Sequence, residues 1–312
     1  MDRPRVVVIT GPTAAGKTAL GVELALRARG EVISADSMQI YRGMDIGTAK
    51  PDPEEMKGVP HHLLSIADPS ENWSVARWAE EAARAAEEIL ARGRIPLVVG
   101  GTGLYIEALL SGTDFAAAPG DSGLRRELER EYEELGGEGF RRKLAGTDPE
   151  RAARLAPADR KRLVRAMEVY ILTGETITEH DRRTAALPPR FDSVRYALSF
   201  RDRETLYARI RLRVDDMVRR GLFDETRALL EAGVSPDATA MQAIGYKEAA
   251  AALRGECTRE EAAEMIKHAS TRYAKRQLTW LRRDKELRWI FREDRPDPER
   301  TAEEILGELE RE

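Results

Sequence analysis

The chain has 312 residues, 42% hydrophobic and 34% charged, with a net charge of −4, four histidines and Cys257 as its one cysteine. This is the composition of a folded soluble protein longer than the common single-domain size of roughly 100–150 residues, so one large core plus a second substructure is expected. One cysteine excludes intrachain disulfides and cysteine-based zinc sites, and the apolar run Val6-Val7-Val8-Ile9 is too short for a signal-peptide core or a membrane span of about 20 residues, so no membrane association and a cytoplasmic location are expected.

Residues 6–10 read as a buried strand, followed by a glycine-rich turn and a helix over about 17–29. A second strand over 32–35 runs into Asp36, a long Ala/Glu-rich helix over 73–91 opens at Ser74, and a third strand over 95–99 runs into Gly100-Gly101-Thr102-Gly103. Strands alternating with helices predict an α/β fold, a P-loop NTPase-like parallel sheet flanked by helices. After Asp114 the pattern changes to charged helical segments at 124–135, 140–144 and 159–173, with no strand evident, until Pro188-Pro189 leads into a strand pattern at 194–200. The chain is therefore expected to comprise a catalytic core, 1–114 and 193–312, interrupted by an all-helical insertion at 115–192. Further helices are predicted at 202–220 and 224–231, stopped by Gly221 and Gly233, and at 258–283, where Thr258 and Glu261 have capping-box spacing.

The acidic net charge argues against nucleic acid, but its distribution does not. Arg151, Arg154, Arg160, Lys161, Arg162 and Arg165 are crowded into one short stretch, and a second basic run from Lys267 to Arg288 precedes an acidic tail. Segregation of this kind permits a local basic surface on an acidic protein.

Gly11-Pro12-Thr13-Ala14-Ala15-Gly16-Lys17-Thr18 fits G-x-x-x-x-G-K-[ST] between a predicted strand and a predicted helix, the context that the motif needs. Its backbone N–H groups would wrap a phosphate or diphosphate at the helix N-terminus, Lys17 would add a point charge, and the Thr18 hydroxyl can hold Mg²⁺. Asp36, at the same edge of the sheet, could hold Mg²⁺, act as a general base, or cap a helix. No acid ends the third strand, where a Walker-B carboxylate would stand, which weakens an ATPase reading. Thr102 would face the crevice beside glycines that admit close backbone approach, or belong to a plain strand-to-helix turn. Arg209 and Arg213 lie four apart on one helix, either as a diphosphate clamp or as a solvated face paired to Asp215 or Asp216. On the C-terminal helix, Ile266, Tyr273 and Trp280 read as an ordinary packing stripe. His61-His62 reads as a loop feature rather than a metal site.

These blocks, together with Ile33-Ser34-Ala35-Asp36-Ser37-Met38-Gln39-Ile40-Tyr41, Pro60-His61-His62-Leu63, Gly100-Gly101-Thr102-Gly103-Leu104-Tyr105 and Gln242-Ala243-Ile244-Gly245-Tyr246-Lys247-Glu248, resemble the bacterial tRNA dimethylallyltransferase (tRNA isopentenyltransferase) family in order along nearly the whole chain. The resemblance implies transfer of a dimethylallyl group from dimethylallyl diphosphate to N6 of the adenosine 3′ of the anticodon, flipped from its stack, with release of diphosphate. It implies diphosphate at Gly11 to Thr18 with Mg²⁺ on Thr18, Asp36 as base, Thr102 beside the adenine, and Arg213 assisting the leaving group. It also implies contacts to the tRNA anticodon stem-loop from Asp36, Ser37, Met38, Gln39, Thr102, Arg125, Lys161, Arg162, Leu163, Val164, Arg165, Gln242, Ala243, Ile244, Gly245, Tyr246 and Lys247. No obligate protein partner is evident, and a monomer is the default. The rival readings are a P-loop kinase of a small metabolite, with ATP in the loop and Asp36 activating a hydroxyl, and a nucleic-acid-dependent ATPase.

Overall fold

The computed structural model describes residues 3–111, 121–185, 187–292 and 297–311. The chain divides into two compact units, one formed by residues 1–110 and 191–312 and the other by residues 111–190. The expected boundary at 114/115 lies outside the described residues, and that at 192/193 falls inside a strand whose first residue, Asp192, already pairs with Arg5.

The larger unit is built on strands β1 (Arg5–Thr10), β2 (Gly30–Ser34), β3 (His61–His62), β4 (Ile95–Val99), β5 (Asp192–Phe200) and β6 (Arg288–Arg292), arranged β3-β2-β4-β1-β5-β6 with every neighbouring pair parallel. Side chains alternate across a strand, so Val6 and Val8 join one apolar cluster with Ile33, Val98 and Trp78, while Val7 and Ile9 join another with Leu20, Leu24 and Leu198. Both faces are thereby covered, as a parallel sheet requires. Because β2, β4 and β1 are neighbours that run parallel, the turns that follow them all emerge at one edge, the usual ligand edge of such sheets.

Helices α1 (Lys17–Ala28), α2 (Pro53–Met56), α3 (Val75–Ala91) and α4 (Gly103–Leu110) belong to the first part of this unit. Ser74 caps α3 by accepting from the Arg77 N–H at 3.1 Å, as its sequence position predicts. After β5 come α9 (Arg203–Arg219), α10 (Leu222–Glu231), a short 3₁₀ turn (Ala240–Gln242), α11 (Tyr246–Leu253), α12 (Arg259–Leu281) and α13 (Pro298–Leu309). The Thr258/Glu261 capping box opens α12. Strands β3 and β6 carry no sequence signal: two residues show no period, and β6 is an edge strand with Arg at both ends. His62 of β3 meets the buried Glu31 carboxylate at 2.7 Å, where Arg92 and Arg94 also converge, and the described residues contain no His, Cys, Asp or Glu cluster able to hold a metal ion.

The smaller unit contains α5 (Ser122–Ala145), α6 (Pro149–Arg154), α7 (Arg160–Thr173) and α8 (Ile177–Ala185), with no strand among its described residues. The two helices expected at 124–135 and 140–144 are the two parts of α5, separated by the non-helical Gly136, where φ is 67°. Its core gathers Leu128, Phe140, Leu144, Leu163, Val164 and Met167. Glu168 is fully buried beside that core, yet it accepts from Arg125 at 2.6 Å, from Arg165 at 2.7 Å and from the Asp121 N–H at 3.2 Å. Burial pushes its carboxyl pKa up, and the two guanidinium groups outweigh that and hold it below its ordinary value.

Candidate active site

The turn after β1 opens a cavity of ≈ 450 Å³ whose wall includes Thr13, Lys17 and Thr18 from the P-loop, Asp36, Ser37, Met38 and Gln39 from the segment after β2, Gly100 and Gly101 after β4, and Arg213 of α9. Ala14 and Gly16 face a second cavity of ≈ 410 Å³, and Thr18 and Arg213 line both. The Lys17 ammonium donates to the Pro12 carbonyl at 2.9 Å. Burial, followed by the charge of Arg213, lowers its pKa to about 8, with Asp36 opposing.

Residues 37–40 form a turn, so Asp36 caps no helix. Its Oδ1 accepts from the Met38 N–H at 2.9 Å, and its charge acts on Lys17, Arg213 and Tyr273 together. Thr102 stands beside the lining rather than within it. Its hydroxyl accepts from the Ser37 N–H at 3.1 Å and its own N–H donates to the Ala35 carbonyl at 3.1 Å, so it fastens the Asp36 turn to the loop after β4.

The solvated-face reading of Arg209 and Arg213 does not hold, because Asp215 pairs with Lys267 at 2.6 Å and Asp216 with Arg219 at 2.8 Å. Arg209 donates to the Ala14 carbonyl of the P-loop, and Arg213 reaches the Thr48 carbonyl, both at 3.3 Å. Burial lowers the guanidinium pKa of Arg213, against the pull of Asp36. Among the described residues its buried Nε has no partner, a donor left for a ligand. Two desolvated cations flanking a helix N-terminus make a site that an anion would stabilise.

Four supporting residues escaped sequence analysis. Gln277 of α12 accepts from the Thr13 N–H and donates to the Gly101 carbonyl, both at 2.9 Å. Tyr273, read as packing, lines the cavity instead, its phenol pushed up to about 12 by burial and the Asp36 charge. Glu225 accepts the successive N–H groups of Asp45, Ile46 and Gly47 at 2.9, 2.8 and 3.1 Å, fixing the loop whose Thr48 carbonyl holds Arg213. Arg292, buried at the end of β6, donates to the carbonyls of Ala15 and Gly16 behind the P-loop. Their only common signal is position on the C-terminal half, which the chain order does not connect to the P-loop.

Of the residues expected at tRNA, Ser37, Met38, Gln39, Gln242, Ala243 and Ile244 line the cavity, and Lys247 is exposed. Arg125, Lys161, Arg162 and Arg165 belong to the smaller unit, where Lys161 and Arg162 are exposed and Arg125 and Arg165 bind Glu168. Three of the expected tRNA residues, Leu163, Val164 and Tyr246, have buried side chains that pack in the core, so any contact from them would come from the backbone. Tyr246 packs so closely on Gly47 that a Cβ there would lie 2.5 Å from its ring, and its hydroxyl donates to Glu225. Gly245 is also buried, at the start of α11.

Comparison with known proteins gives the same identity from several directions. A family model described as IPP transferase matches residues 39–284, and one described as isopentenyl transferase matches residues 4–68. The chain is 48% identical over 310 residues to the tRNA dimethylallyltransferase of Desulforudis audaxviator, covering 99% of each, and 47% identical to that of Geobacter sulfurreducens, covering 93% of this chain and 92% of the relative. Its fold is similar to the crystal structure of the full-length tRNA isopentenylpyrophosphate transferase from Bacillus halodurans, with a TM-score of 0.73 at 43% identity and coverage of 99% and 98%. It is also similar to a eukaryotic dimethylallyltransferase captured acting on tRNA, with a TM-score of 0.75 at 32% identity, covering 89% of this chain and 70% of that one. Coverage of nearly the whole chain at these identities leaves one conclusion: the chain belongs to the IPP transferase family.

Proposed function

We propose that this protein transfers the dimethylallyl group of dimethylallyl diphosphate to N6 of the adenosine 3′ of the anticodon in tRNA and releases diphosphate. The observation that carries the reading is one cavity that joins a phosphate loop, a desolvated Arg213 and the Asp36 carboxylate, with no acid at the end of β4. Alkyl transfer from an allylic diphosphate needs stabilisation of leaving-group charge, which Lys17, Arg213 and the N-terminus of α1 supply, and it breaks no bond between phosphates. Asp36 would take the proton from the amino group as the C–N bond forms. Ile210, Val214 and Met217, on one face of α9, give the five-carbon group an apolar wall. The Thr18 hydroxyl offers an oxygen ligand in the same cavity and would hold Mg²⁺ there, which would neutralise leaving-group charge.

The test is direct. Purified protein with tRNA and dimethylallyl diphosphate should yield isopentenyladenosine and diphosphate, while ATP should give no ADP. ADP formation with a small hydroxyl acceptor would instead establish a kinase.

Donor binding should depend on pH through Lys17. With a pKa of about 8 in the free protein, Lys17 is charged below that value and neutral above it, and a diphosphate favours the charged form. Binding of dimethylallyl diphosphate without tRNA should therefore weaken as pH rises through about 8 and take up a proton at pH values above it. Calorimetry at about pH 9 in two buffers of different ionisation enthalpy measures the uptake, and equal heats would remove Lys17 from the phosphate site.

For the smaller unit, Arg162 carries its charge on the surface, paired to the half-buried Asp159 at 2.9 Å. Arg162→Ala should weaken tRNA binding and flatten its salt dependence by about one unit of slope, the loss of one phosphate contact. Unchanged affinity with an unchanged slope would leave Arg162 a solvated surface residue.

A further inference from the structure

The amide of Gln277 is fixed by two partners of opposite kind. The Thr13 N–H can only donate and the Gly101 carbonyl can only accept, so the orientation of the carboxamide is determined by its neighbours. The residue is 8% exposed, and it lines the cavity together with Thr13 and Lys17. A Cβ added at Gly101 would lie 2.4 Å from Gln277 Nε2, 3.3 Å from the Gly11 carbonyl oxygen and 3.5 Å from Lys17 Nζ. The carboxamide, the mouth of the P-loop and the Lys17 ammonium thus surround one point. In a triphosphate-binding P-loop the backbone N–H groups cradle the phosphates and the lysine reaches the outermost two. Here one of those N–H donors is already taken by a side chain, and that side chain stands beside the lysine.

We propose that Gln277 is a specificity-determining residue that shortens the P-loop to the length of a diphosphate. By capping Thr13 it removes one of the loop's N–H donors from the phosphates, and by standing beside Lys17 it narrows the space in which the lysine could reach a third phosphate. Its second bond, to Gly101, ties the capped loop to the turn that holds Thr102, so the anion subsite and the Asp36 turn keep a fixed spacing. The consequence is a phosphate loop that ignores the cell's abundant nucleoside triphosphates. This inference rests on the proposed reaction only for its biological meaning; the binding behaviour stands apart from it.

The experiment compares inorganic pyrophosphate with inorganic tripolyphosphate, each with Mg²⁺, by calorimetry on the full chain without tRNA. The native protein should bind pyrophosphate at least about tenfold more tightly, and Gln277→Ala should reduce that preference by about tenfold or more, chiefly by tightening tripolyphosphate. Gln277→Glu keeps an acceptor for the Thr13 N–H and should keep the preference, while losing the bond to Gly101. Gln277→Asn, too short to span both partners, serves if the Ala variant does not fold, and should show the same reduction. An unchanged ratio in a folded Ala or Asn variant would overturn the proposal, as would an absence of preference in the native protein. No turnover is needed, so absence of tRNA prenylation would overturn the proposed function and leave this result intact.

Discussion

Replacing Asp36 by Ala is expected to lower the single-turnover rate with pre-bound tRNA by several hundred-fold or more, because a positioned base contributes typically about 10²–10⁴-fold. The side chain also accepts from the Met38 N–H, so the Ala variant removes a turn contact as well as a base. Asp36→Asn separates the two effects, since it keeps an acceptor for that N–H but cannot take a proton. Both variants should bind tRNA. The Asn variant should also bring the Lys17 titration below about 8, because the Asp36 charge is what opposes burial and Arg213 there. Measured rates with saturating tRNA decide the matter, and a loss of less than about fivefold in both variants would remove Asp36 from the chemistry.

Arg213→Ala should weaken use of dimethylallyl diphosphate by on the order of 2–4 kcal/mol in kcat/KM, with little change in tRNA binding. The variant leaves the Thr48 carbonyl without this donor, but the loop preceding it remains tied through three N–H groups to Glu225, so the defect reports on the anion rather than on a collapsed wall. Lys at this position restores charge without the planar fork and should rescue only in part. The measurement is kcat/KM for each substrate separately. A defect confined to tRNA would transfer Arg213 to the nucleic-acid surface.

Much of this site is legible along the chain because its parts are local. Gly11 to Thr18 sits between β1 and α1, and Asp36 and Thr102 follow β2 and β4 within a few residues, so strand ends and glycines mark them directly. The strands at 6–10, 32–35, 95–99 and 194–200 lie within one or two residues of those observed, since apolar runs bounded by glycine, proline or charge are a strong signal. The gap at 115–192 is similarly marked by its change to charged helical segments.

What the tertiary structure decided is the second half of the wall. An amphipathic helix shows which residues share a face, but not what that face meets, so Tyr273 read as packing when it lines the cavity, and Gln277 carried no signal although it closes the P-loop from 264 residues away. Glu225 and Arg292 are charged residues whose partners are backbone groups of loops distant in sequence, and a backbone N–H or carbonyl has no residue type to recognise. The buried Leu163, Val164 and Tyr246 show the same limit in the opposite sense, because membership of a motif specifies neither which side chains face outward nor which hold the motif in place. The sequence thus determined the family, the parallel sheet and the residues nearest the phosphate. Burial and long-range hydrogen bonds, which depend on which surfaces meet in the folded chain, decided how those residues are held.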